Sequence, residues 1–117
     1  MKRSVRRFRL GLAICAALGL LTVSAQAACK GGFCVSGGDN RGTHIVDFTT
    51  THRGYTHFNV STPFSGQHEL GRNQRRFTFR AGPKGTKGSY GMQACNRGGV
   101  FSSSSCTRWV HFNYTVK

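Results

Sequence analysis

Residues 89–116, SYGMQACNRGGVFSSSSCTRWVHFNYTV, constrain this chain more than any other stretch. Two β-patterned runs flank a Gly/Ser loop, with Cys95 ending the first and Cys106 starting the second. In the second run Val110, Phe112, Tyr114 and Val116 alternate with His111, Asn113 and Thr115. A period of two sends one row of side chains into a core and the other into solvent. Trp109 is the one residue that breaks the alternation. The pattern predicts a long hairpin clamped at its tip by a disulfide.

The N-terminus predicts export. Lys2, Arg3, Arg6, Arg7 and Arg9 precede an apolar run over residues 10–23, and Ala25 and Ala27 supply the small residues that a signal peptidase reads. We therefore expect a cleavable signal over residues 1–27, one all-β domain over residues 28–117, and a secreted or periplasmic location. The apolar run is shorter than the ~20 residues of a bilayer span, so no integral membrane association is expected. Cys15 leaves with the signal, and Cys29, Cys34, Cys95 and Cys106 remain. An even number in a short exported chain points to two disulfides, and four cysteines allow three pairings. The local solution, Cys29–Cys34 with Cys95–Cys106, is favoured because each pair brackets a short Gly-rich loop.

The rest of the chain reads as short strands. A short strand is expected around residues 33–36, followed by turn chemistry at Gly37-Gly38-Asp39-Asn40. Residues 43–51 are rich in β-branched side chains and place His44, Val46 and Phe48 on one face. His52-Arg53-Gly54 suggests a hairpin turn into a strand over residues 55–62, which Pro63 ends. A short edge strand is expected at residues 67–70. Residues 75–80, RRFTFR, point Phe77 and Phe79 inward, and residues 81–88 form an exposed loop. Six or seven strands without helices predict a small antiparallel β-sandwich. Its expected core is Ile45 or Val46, Phe48, Phe58, Val60, Phe77, Phe79, Tyr90, Met92, Val110, Phe112 and Tyr114.

Tyr90, the run Gln93-Ala94-Cys95-Asn96, the Gly98-Gly99 loop, and Ser105-Cys106-Thr107-Arg108-Trp109 leading into a final strand carry a resemblance. Together they look like the last two strands of a fibronectin type III or immunoglobulin-like module of secreted bacterial proteins. The resemblance implies a binding or spacer scaffold with no catalytic residues to transfer.

Charge points to the partner. Five of the 17 Lys and Arg lie in the signal, and the others face only Asp39, Asp47 and Glu69. A surface this basic attracts polyanions. Arg72, Arg75, Arg76, Arg80, Lys84 and Lys87 are the candidate anion contacts, able to pair with phosphates or carboxylates. Tyr55 and Trp109 are candidate stacking groups. The expected ligand is an anionic polymer (surface polysaccharide or nucleic acid) or an acidic protein surface. A second reading is a small secreted ribonuclease or other hydrolase using His57, Glu69 and His111 as acid and base. A third is an inhibitor or toxin-like effector presenting the Cys95–Cys106 loop. His44 and His57, expected on adjacent strands, raise the question of a metal, but no metal-ligand spacing is present, so neither metal nor cofactor is expected.

Overall fold

Alternation becomes pairing wherever a turn can close it, and two glycine turns start the domain. The computed structural model describes residues 27–101 and 103–117, so the predicted signal up to residue 26 lies outside the described residues. Gly31 and Gly32, at φ 57° and 87°, join β1 (Ala28–Lys30) to β2 (Phe33–Asn40). Two successive positive φ values are what a two-residue hairpin of matching twist requires. Arg41 and Gly42, at φ 52° and 86°, likewise join β2 to β3 (Thr43–Thr50).

The chain continues through β4 (His57–Thr62), β5 (Gly66–Gly71), β6 (Arg76–Arg80), β7 (Lys87–Asn96), β8 (Ser105–Cys106) and β9 (Val110–Thr115). One sheet has the order β1-β2-β3-β6. The other runs β5-β4-β7, with β8 and β9 both paired to β7, and every pairing is antiparallel. Rings from the facing rows join the two sheets: Phe48 meets Phe58 at 5.7 Å, Phe77 meets Tyr90 at 5.5 Å and Phe79 meets Tyr114 at 5.2 Å. Edge-to-face and offset geometries of this kind add to the large area that each ring buries. Both disulfides take the local pairing, Cys29–Cys34 and Cys95–Cys106, and each joins residues directly opposite one another on paired strands.

Several expectations are corrected. Gly37 and Gly38 are not a turn but lie inside β2, and the turn falls at Arg41-Gly42. A Cβ on Gly37 would stand 2.7 Å from His44 Nε2, so here glycine serves packing and not a reversal. His52-Arg53-Gly54 does not close a hairpin. Both edges of β3 are taken by β2 and β6, so the chain crosses to the other sheet and starts β4 at His57. Val46 faces inward, whereas Ile45 is half-buried on the outer row. Val110 is only partly buried, and the core also holds Phe33, Val35, Leu70, Ala81, Ala94 and Val116.

The hairpin of residues 89–116 contains a bulge. Met92 pairs with Val110 and Cys95 with Cys106, so Gln93 and Ala94 face Thr107, Arg108 and Trp109. One extra residue reverses which parity points inward. It lets Cys106 share the outer row with Cys95 while Phe112 and Tyr114 still reach the core. Trp109 keeps the row its odd number gives it, the solvent row of His111 and Asn113, and is the apolar exception there that the sequence shows.

Candidate anion-binding edge

Each of the three carboxylates is engaged, and this defines the surface. Asp39 holds His44, Asp47 holds Arg76 and Glu69 holds Arg97. Among the described residues no other Lys or Arg has a carboxylate within ion-pair distance.

Strand β6 is the free edge of its sheet and gathers the candidate arginines. Its alternation buries Phe77 and Phe79 and exposes Arg76, Thr78 and Arg80. Four residues of strand separate Arg76 from Arg80 by about 13 Å. Arg72 and Arg75 lie in the β5–β6 connection, Lys84 lies in the β6–β7 loop, and Lys87 is the first residue of β7. Beneath the edge, a cleft of about 440 Å³ sets His68, Gln74 and Arg76 over Val60, Leu70 and Phe77.

Two of these arginines already have work. The Arg75 guanidinium lies 5.3 Å from the Phe58 ring and 5.5 Å from that of Phe48. It donates to the carbonyls of Arg72 at 2.8 Å and Gln74 at 2.9 Å, and so covers the end of the core. Arg76 donates to both Asp47 oxygens, at 2.7 and 3.2 Å. That hydrogen bonding holds the Asp47 carboxyl below its usual range and pushes the guanidinium further up. Arg72, Arg80, Lys84 and Lys87 remain without an ion pair among the described residues.

The proposed stacking groups lie elsewhere. Tyr55 is in the β3–β4 crossover, half-buried, with its ring against His52 at 5.5 Å. Trp109 lies over Gly91 on the outer row of the other sheet.

The trio His57, Glu69 and His111 does not converge. The residues stand on β4, β5 and β9, and the order β5-β4-β7-β9 puts three strand spacings, about 14 Å, between Glu69 and His111. His57 is buried and shares a hydrogen bond with the Thr56 hydroxyl at 2.9 Å, while Glu69 accepts from Arg97. His44 and His57 sit in different sheets, not on adjacent strands. Among the described residues no group of three or more His, Cys, Asp or Glu could hold a metal ion.

One constellation was missed. Asp39 and His44 face each other across the β2–β3 hairpin, their side chains only 9% and 7% exposed. His44 Nδ1 donates to Asp39 Oδ1 at 2.7 Å, and the Lys117 amide donates to Asp39 Oδ2 at 3.2 Å. The imidazole stacks on Tyr114 at 5.0 Å. Placing the turn at Arg41-Gly42 instead of residues 37–40 would have revealed the pair, because Asp39 and His44 then become register partners.

Compared with protein-family models, characterised proteins and solved structures, the chain finds no match. Two disulfides fit an oxidising compartment. Among the described residues no helix is long and apolar enough to cross a membrane.

Proposed function

We propose that this is an exported, basic β-sandwich domain that binds an anionic partner along the β6 edge. The reading rests on one observation: among the described residues Arg72, Arg80 and Lys84 lie along or just beyond that edge without a carboxylate, while each acidic side chain already has a partner, Asp47 on this face with Arg76. In this reading Arg76 shares its guanidinium between Asp47 and ligand, and His68 in the cleft adds a further contact. The fold reading goes one step finer as a proposal. The strand order supports an immunoglobulin-like arrangement in which β2, β3 and β6 take the places of strands A, B and E, and β4, β7 and β9 those of C, F and G. The strand after C stays beside it here, where a constant-type domain would pass it to the other sheet.

The test is retention of residues 28–117 on a sulfated polysaccharide, an RNA and an acidic cell-wall polymer at low salt. With about four contacts, affinity should fall roughly 50-fold between about 50 and 200 mM salt. The variant Arg72→Gln/Arg80→Gln/Lys84→Gln should lose most of both the binding and its salt dependence. No retention on any of the three at low salt overturns the reading.

A specific observation favours a second reading, presentation of the disulfide-closed loop to a protein. Val100 is 90% exposed and Phe101 99%, beside the bond that fixes the loop base. A target captured in a salt-insensitive manner and lost in Phe101→Ser would support this alternative.

A further inference from the structure

The geometry points to a second binding site, for the sugar ring of a glycan, on the outer face of the sheet that contains β9. Trp109 and His111 both lie over Gly91: a Cβ there would stand 3.1 Å from Trp109 Cε3 and 3.1 Å from His111 Nε2. A glycine in the middle of a strand is costly unless something lies against it, and here two flat rings do. Trp109 stands on this row with His111, half-exposed, and is the only tryptophan of the chain. A bland explanation, a ring needed for the core, fails because the core lies on the other side of the sheet.

The neighbours select the ligand. Across the sheet His111 pairs with Gly91, Gly91 with Ser61 and Ser61 with Gln67. On the next row Asn113 pairs with Ser89. Amides and hydroxyls both donate and accept, as sugar hydroxyls require. The C–H face of a sugar ring is apolar and gains dispersion contact on a flat indole. A nucleobase would stack on the same ring, but its phosphates would need cations on this face. Glu69 and Arg97 neutralise each other here, and Lys87 stands about 13 Å along β7 from Gly91. Among the described residues Lys30 and Arg108 line the cleft of about 560 Å³ beside Trp109, fewer cations than the β6 edge offers, so salt-dependent binding of a single-stranded nucleic acid is the competing outcome that the test separates. The β6 arginines lie on the outer face of the other sheet, so the two sites are independent.

Because Trp109 is the sole tryptophan, its emission reports the site directly. Residues 28–117 would be titrated with neutral hexasaccharides of glucan, chitin, mannan and galactan type, and separately with single-stranded oligo(dT). We expect at least one hexasaccharide to shift the emission saturably, with an affinity that changes less than twofold across the salt range that abolishes polyanion binding. By calorimetry Trp109→Leu, which keeps an apolar cover over Gly91, should bind that sugar at least tenfold more weakly, while Arg72→Gln/Arg80→Gln/Lys84→Gln should bind it normally. No emission shift with any hexasaccharide, a Trp109→Leu protein that binds as the parent does, or a shift only with oligo(dT) that salt abolishes would each overturn the proposal.

Discussion

Asp39 and His44 form a hydrogen-bonded pair held inside the sandwich, and its cost and value follow from burial. Replacing Asp39 by Ala leaves the His44 Nδ1–H and the Lys117 amide without an acceptor, so we expect a loss of about 2–3 kcal/mol in urea unfolding. Asp47→Ala breaks a solvent-screened pair and should leave the urea midpoint in place. Gly37→Ala should cost about 1–3 kcal/mol by driving its methyl group into the imidazole, and less in a His44→Ala background, where the obstacle is gone. Tyr90 gives a pH prediction. Burial pushes its phenol up, so the folded state keeps a proton that the unfolded chain releases near pH ~10. Stability should therefore fall as pH rises above that value, and Tyr90→Phe should flatten the fall.

At the level of elements, the strands were legible and their partners were not. RRFTFR and the run from Val110 announced their inward rows because a half-buried strand writes its exposure every second residue. Nothing local distinguishes a reversal within a sheet from a crossing between sheets, which is why His52-Arg53-Gly54 read as a hairpin. Gly37-Gly38 misled for a related reason: glycine reports missing side-chain volume, whether a turn or a neighbouring ring requires it. The bulge was visible only in Cys106, whose even number puts it in step with the inward Phe112 although its partner Cys95 belongs to the outer row. Deleting Arg108 would remove the extra residue, so Cys106 and Phe112 could no longer both keep their rows. We expect that variant either to lose the disulfide or to expose the Phe112 row, read by thiol titration and by dye binding. Removing Cys95–Cys106 by paired Ala substitution should cost about 0.7 kcal/mol more in loop entropy than removing Cys29–Cys34, since the sequence separations are 11 and 5.

For the whole molecule, net charge was readable but its distribution was not. Composition announced an excess of cations, yet only the sheet order shows that Arg72, Arg76, Arg80 and Lys84 follow one free edge while Trp109 faces the opposite way. The hydrolase reading drew on residue types alone, and three strand spacings separate the groups it needs. The core has a consequence of another kind. Its rings surround a small number of aliphatic side chains, Val35, Val46, Val60, Leu70 and Val116 among them. Circulating π electrons shield protons held above a ring face, so the folded chain should show methyl resonances well upfield of the ordinary aliphatic region. Those lines would vanish on unfolding, giving a one-dimensional proton spectrum that tells a folded variant from a collapsed one.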